Sequence, residues 1–327
     1  MRTGVGKGSG WREVYIYPGL ATITLISVLS HSSIAEAGGL VRYDFSLGTA
    51  YRHARLDWNI AGNLAGAAPN ILSELIWHDL DIAQLNGAVQ VSVNDRLVLR
   101  GSAAYGGVVN GKVQDSDYDG DNRTMEFLRS NSEGRGQVAD ASIGLGYHFR
   151  IYDQTAGRYA HLTPMAGYSR HIQYLKITDG MQTIPAKSPI ANLDSRYDAD
   201  WSGPWLGVNL RMETSERSAL TIDFEYHWAD YYAKADWNLR DDLVHPVSYR
   251  HDTTGVGVVA SLAFSQALSK RWGFIVRIES QNWTTNPGVD TLYTINSSSG
   301  AVQPDATRLN EVNWRSVSAG VEATYRF

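Results

Sequence analysis

Cysteine is absent from the 327 residues, which excludes a disulfide framework and any thiolate metal centre. After residue 37 there is no run of eighteen apolar residues, so no transmembrane helix is predicted. Positive charge is in deficit: 29 Lys and Arg stand against 34 Asp and Glu, a formal charge of −5. That balance argues against a general polyanion binder. No Gly-rich phosphate loop, no Ser-His-Asp order with local context and no nucleic-acid motif occurs, so no nucleic-acid partner is predicted.

What is present begins with a secretory leader. Arg2, Lys7 and Arg12 form a positive region, and Gly19 to Ser30 an apolar stretch too short to span a membrane as a helix. Ala35-Glu36-Ala37 reads as a cleavage site. Residues 1–37 are therefore predicted as signal peptide and 38–327 as one mature domain. Removing the leader leaves 26 basic and 32 acidic residues. An exported chain without a helical anchor is either soluble or a barrel.

The end of the chain favours the barrel. Val317, Ala319, Val321, Ala323, Tyr325 and Phe327 share one face of a strand, and Ser316, Ser318, Gly320, Glu322, Thr324 and Arg326 the other. An apolar outer face closing on aromatics suits a transmembrane barrel at the membrane interface. A terminal Phe also resembles the sorting signal of bacterial outer-membrane barrels. The edge strand of a soluble sandwich is the plain alternative.

Alternating segments recur near 41–59, 71–93, 97–118, 135–150, 158–179, 195–214, 219–240, 248–268, 271–293 and 307–327. Their connections alternate between short (94–96, 151–157, 215–218, 269–270) and mostly longer (60–70, 119–134, 180–194, 241–247, 294–306). Short periplasmic turns and long outer loops are the asymmetry of bacterial barrels, which have even strand numbers. The predicted fold is all-β: a ten-stranded antiparallel transmembrane β-barrel with a tall extracellular rim. In the seventh segment Leu220, Ile222, Phe224, Tyr226 and Trp228 face lipid, while Thr221, Asp223, Glu225 and His227 face the lumen. About ten tilted residues span a membrane, so roughly half of each longer strand stands outside it. A lumen of this strand count is predicted to be largely filled by side chains, which disfavours a wide porin.

The richest chemistry lies at 113–123, at the top of the third segment, and at 235–240, at the top of the seventh. Both stand at similar height, nearly across the barrel from each other. The acidic run admits a calcium reading. Asp115, Asp117, Asp119, Gly120 and Glu126 fall at positions 1, 3, 5, 6 and 12 of an EF-hand-type loop, with Asp121 a further candidate ligand. Asn122 occupies a position usually apolar, and flanking helices are not predicted. A solvated acidic loop is the plain alternative.

Several patches, in order, resemble the omptins, ten-stranded outer-membrane proteases of Gram-negative bacteria. They are Phe45-Ser46-Leu47-Gly48-Thr49, Asp115-x-Asp117-Tyr118, Met165-Ala166-Gly167-Tyr168, Pro204-Trp205-Leu206-Gly207 and Ser248-Tyr249-Arg250. The resemblance implies an Asp-x-Asp pair facing an Asp-x-His pair, together activating a water against a peptide bond. Asp115 and Asp117 match the first pair and Asp236 the aspartate of the second. The histidine position holds Asn238, which cannot act as general base. The family's lipopolysaccharide-gripping positions depart as well, falling on Arg170, Ile172 and Asp200.

Strict alternation gives Asp115 and Asp236 lipid-side parity, so each strand needs a bulge to turn them inward. Gly106, Gly107 and Gly111 offer one in the third segment; no glycine marks one in the seventh. His227 reads as a lumen hydrogen-bonding residue, and His245 or His251 as a spatial substitute for the missing base. Trp201, Trp205, Trp228, Trp237, Trp283 and Trp314 read as girdle, packing or rim residues.

The leading expectation is an omptin-like outer-membrane barrel with an acidic extracellular cleft and lost or altered peptidase activity. The alternatives are an active aspartate-type endopeptidase preferring basic residues, and a narrow channel or adhesin. Expected partners are outer-membrane lipid and lipopolysaccharide, the barrel-assembly machinery and a peptide substrate.

Overall fold

A computed structural model describes residues 41–153 and 158–327; the signal-peptide and cleavage-site predictions lie outside the described residues. The strands are β1 (Val41–Ile60), β2 (Ser73–Val93), β3 (Leu97–Gly120), β4 (Thr124–Tyr147), β5 (Phe149–Asp153), β6 (Arg158–Ile184), β7 (Ser188–Glu213), β8 (Ser218–Asp236), β9 (Tyr249–Ala267), β10 (Trp272–Thr285), β11 (Gly288–Ile295) and β12 (Val302–Arg326). Only His148 separates β4 from β5, and both pair with β6. Only Asn286 and Pro287 separate β10 from β11, and both pair with β12. The hairpin order is thus that of ten strands. Pairing is antiparallel between chain neighbours, and β12 returns to β1 from Asp44↔Arg326 to Ile60↔Leu309, giving an all-β, barrel-like arrangement.

Period-two alternation sorts the side chains. On β8, Asp223, His227 and Tyr231 are buried inside, while Ile222, Phe224 and Trp228 are exposed on the outer face. Leu47 and Tyr51 on β1, Tyr105 on β3, Tyr168 on β6, Leu206 on β7, Ile278 on β10 and Val321 on β12 are exposed in the same way. Farther from the short turns this outer face becomes polar: His53, Arg170, Ser202, Asp230, Thr254 and Arg315. A continuous exposed apolar band bounded by aromatics and then by charge is what a lipid-facing barrel surface requires.

The upper connections differ from the sequence expectation. Residues 119–134 do not form a long loop: β3 and β4 run on to a three-residue 3-10 turn, Asp121–Arg123. Residues 180–194 likewise belong mostly to β6 and β7, joined across 185–187. At the tips of these two hairpins both faces meet water, so pairing continues after the hydrophobic alternation has stopped.

The lumen is filled in two styles. In its lower half, charged pairs cross between strands that are not neighbours. Arg100 on β3 reaches Asp223 (2.7 Å) and Glu225 on β8, while between the neighbouring β10 and β12 Arg277 reaches Glu322 at 3.1 Å. Arg52 on β1 reaches Asp140 on β4 at 2.7 Å, and Asp140 also meets His171 Nδ1 at 2.9 Å. Above them lies an aromatic plug. Trp283 packs against His171, His227 and Trp201 with ring centroids 4.5, 4.8 and 5.8 Å apart. Gly257 makes room for it: a Cβ there would lie 2.3 Å from the Trp283 ring. Trp201, Trp205, Trp283 and Trp314 are buried, Trp228 belongs to the outer band, and Trp237 packs on Tyr249. His227 accepts or donates to Ser169 Oγ at 2.9 Å, the lumen role read from sequence.

Candidate functional site

The acidic pair reaches the inner face because β3 bulges. Its pairing with β4 slips between Gly107 and Lys112, and β2 carries a matching slip between His78 and Asp81. Below the slip the inward position is Gly106, where a Cβ would meet Ile82; above it the inward positions are Gly111, where a Cβ would meet Leu80, and buried Val113. Asp115 and Asp117 inherit that inward parity. Asp115 is half-buried. Burial first, then the Asp117 charge, push its carboxyl up to about 7. Burial also raises Asp117, while the Ser73 hydroxyl and the Arg240 guanidinium pull it back. Both lie well above the apolar band.

The opposite wall departs from expectation. β8 pairs with β7 and β9 without a register slip, so Asp236 keeps the outward parity of Ile222, Phe224 and Trp228. The expected bulge is not formed, because nothing in the uninterrupted 219–235 alternation accommodates an extra residue. Asn238 is committed elsewhere. Its Oδ1 accepts from the Asp194 N–H (3.0 Å) and the Ser195 hydroxyl (3.1 Å), and its Nδ2 donates to the Asn192 carbonyl (2.7 Å). It braces the upper end of β7 to the β8–β9 connection.

What faces the acidic pair comes from that connection and from the start of β9. Arg240 lies near enough to Asp117 for each to shift the other's ionisation, and its guanidinium also holds Asp242 at 2.7 and 2.8 Å. Tyr249, raised well above the ordinary phenol range chiefly by burial, also senses Asp115. Below it Trp58, Trp77, Tyr197 and His251 close the floor, with Tyr197 Oη 2.6 Å from Tyr231 Oη and 2.9 Å from His251 Nδ1. Sequence alignment by strand order points to Asp236 and Asn238; Arg240 and Tyr249 become visible only once the connection is folded across.

His245 does meet Asp236, Nδ1 to Oδ1 at 2.6 Å, while its Nε2 lies 3.2 Å from the Arg240 carbonyl. Both neighbours are acceptors, an arrangement that favours the imidazolium over the neutral ring. Its pKa is raised, first by the Asp236 hydrogen bond. The pair therefore contributes stability fully below the unfolded histidine pKa and loses it as pH rises through the folded one. In a proton-NMR titration the His245 pKa is expected to fall in Asp236→Asn; an unchanged value would remove this assignment.

The calcium reading finds no cage. Asp115, Asp117 and Asp119 lie along extended β3, where alternate residues point to the same side but do not wrap a point. Asp121 accepts from the Asn70 N–H at 2.7 Å, and Glu126 is held by Arg129 at 2.6 and 2.7 Å. Among the described residues no three acidic or histidine side chains gather as a metal site. The lipopolysaccharide-position residues Arg170 and Asp200 neutralise each other at 2.5 Å.

Comparison with known proteins agrees with this architecture. The family described as "Pom: Protochlamydia outer membrane protein" matches residues 46–327. The crystal structure of the outer membrane protease OmpT from Escherichia coli superposes with a TM-score of 0.69 at 13% identity, covering 88% of this chain and 96% of that one. Further similarities have much lower TM-scores. They include the translocator domain of the autotransporter NalP from Neisseria meningitidis (TM-score 0.31, 10% identity, 86% and 88% covered) and a FadL homologue of Pseudomonas aeruginosa (0.27, 8%, 87% and 90%). No curated protein matches the sequence.

Proposed function

Because the chain belongs to the Protochlamydia outer membrane protein family and has an omptin-like fold, we propose that it is a surface-exposed ten-stranded outer-membrane barrel. In this reading its termini and short turns are periplasmic and its long hairpins extracellular. The barrel-assembly machinery inserts it, and lipid and lipopolysaccharide surround its apolar band. The acidic cleft around Asp115 and Asp117 binds cationic groups of a peptide or similar ligand without hydrolysing it. The observation that carries the loss of peptidase chemistry is the engagement of Asn238 with Asn192, Asp194 and Ser195, at the place where the omptin resemblance needs a base.

A competing reading rests on the Asp236–His245 contact: a reorganised catalytic pair. Against it, acceptors at both ring nitrogens favour the imidazolium, the form with no lone pair to accept a proton. A narrow channel remains distinct from both, since ions would have to pass the layer of Trp201, Trp283 and Trp314; planar-bilayer conductance decides it.

The cleft reading is tested by binding of a fluorescent oligo-arginine peptide to lipid-reconstituted protein. Affinity is expected to rise as pH increases through about 7, where Asp115 ionises, and to fall about tenfold or more in Asp117→Ala. Binding that ignores both pH and Asp117 would reject the cleft as the site.

A further inference from the structure

The lower lumen holds chemistry that the acidic rim does not use. A cavity of about 740 Å³ extends from the short turns up to the layer of Arg52, His171 and Gln281, a size within the usual range for small-molecule sites. Those three residues come from β1, β6 and β10 and are 2%, 6% and 4% exposed. Each is only half satisfied. Arg52 gives Nη2 to Asp140, while its Nε and Nη1 have no partner. His171 uses Nδ1 on Asp140, and its Nε2 has none. Gln281 donates to Glu279 at 2.9 Å, and its Oε1 accepts nothing. Buried polar atoms are costly to leave unpaired, and the three residues that carry these atoms stand at the end wall of one chamber, the orphan atoms lying just beneath its surface.

The chamber's mouth is cationic. Arg211, Arg217, Lys270 and Arg271 line it, and none forms an ion pair with a carboxylate among the described residues. Arg211 donates to the Ser265 hydroxyl at 3.3 Å. The carboxylates there are fewer. Asp44 is shared between Arg42 and Arg326, Asp95 is held by Arg42, and Glu213 lies 3.9 Å from His161 Nε2, which leaves Glu216; deeper in, Asp140, Asp223, Glu225, Glu279 and Glu322 are matched with Arg52, Arg100 and Arg277. This contrasts with the acidic rim and with the net charge of −5. Guanidinium forks at the mouth and a buried arginine at the end suit an oxyanion, and Gln281 Oε1 suits a hydroxyl or amide donor on the same molecule.

We propose that the lower lumen is a binding chamber for a small molecule bearing phosphate or carboxylate groups. Arg211 and Arg271 draw it in, and Arg52, His171 and Gln281 receive its far end. Entry from the periplasm rests on the orientation proposed above; the binding itself does not.

Full-length protein folded in detergent is titrated calorimetrically with pyrophosphate and, separately, with citrate. At least one is expected to bind at a single saturable site, more weakly as salt is added, the tighter one identifying the anionic group. Arg211→Gln is expected to weaken binding about tenfold or more. Gln281→Glu, which places a negative charge at the end wall, is expected to weaken it at least as much. Arg271→Gln, on an exposed turn, supplies a variant whose fold is not at risk and is expected to weaken binding too. Lack of saturable binding of either anion at millimolar concentration would overturn the proposal, as would unchanged affinity in these variants. The peptide titration at the rim is read separately, so its failure leaves this result standing.

Discussion

Arg52→Met is expected to be the most damaging single change in the lumen. Arg52 is almost wholly buried, and its Nη2 meets Asp140 at 2.7 Å, with Glu279 3.9 Å away. The same Asp140 carboxylate anchors His171, which packs under Trp283. Removing the guanidinium leaves a buried carboxylate with only the imidazole beside it, a situation that costs about 3–5 kcal/mol. Chemical unfolding followed by tryptophan fluorescence reads the loss. Arg52→Met combined with Asp140→Leu is expected to be less destabilised than Arg52→Met alone, because no orphaned charge remains. A single variant within about 1 kcal/mol of wild type would mean that water already solvates this layer.

The second large effect has the opposite sign. Asp115→Asn is expected to stabilise the protein at about pH 8 by roughly 2–4 kcal/mol. The folded carboxyl titrates at about 7 because burial and Asp117 oppose its ionisation, whereas in the unfolded chain it ionises near the ordinary aspartate value of 3.8. The folded state therefore holds its proton more tightly, and stability falls as pH rises between those two values. Asparagine has no charge to bury, so the two proteins should converge at about pH 4 and differ most above about 7. The upper end of the range is discounted because Asp115 is only half-buried. A site that costs stability in the absence of ligand is what a binding cleft for a cation requires, since an incoming positive charge restores the ionised form. Equal stabilities at both pH values would show that Asp115 is solvated.

Much of the architecture is legible in the sequence because one rule governs it. Wherever one face meets an apolar surrounding, alternation is strict, as in 220–228 and 317–327, and those strands lie where the alternation puts them. The rule loses its grip above the apolar band. There β3, β4, β6 and β7 continue as hydrogen-bonded ladders through stretches rich in Gly, Ser and Asp, which read as loops because neither face needs to be apolar. The β3 bulge was signalled by Gly106, Gly107 and Gly111, which tolerate the local backbone change. The companion slip in β2 at His78–Asp81 had no glycine and no sequence signal. The site is legible only in half. Asp115 and Asp117 follow from parity plus one bulge. Their true neighbours, Arg240 and Tyr249, and the contact between His245 and Asp236, depend on how twelve connecting residues, 237–248, fold back, and no periodicity encodes that. Asn238 shows the limit of placing roles by strand order: its amide accepts two hydrogen bonds and donates a third, so an imidazole at 238 disrupts the brace instead of supplying a base.

Incubation of the lipid-reconstituted full chain with a basic peptide, followed by mass spectrometry of the products, addresses the central claim most directly. The account predicts peptide bound through the acidic cleft and recovered intact, with Asn238→His no more active than wild type. Cleavage by the wild type that disappears in Asp115→Ala and in His245→Ala would contradict it, and would establish Asp115, Asp117, Asp236 and His245 as a rearranged peptidase site.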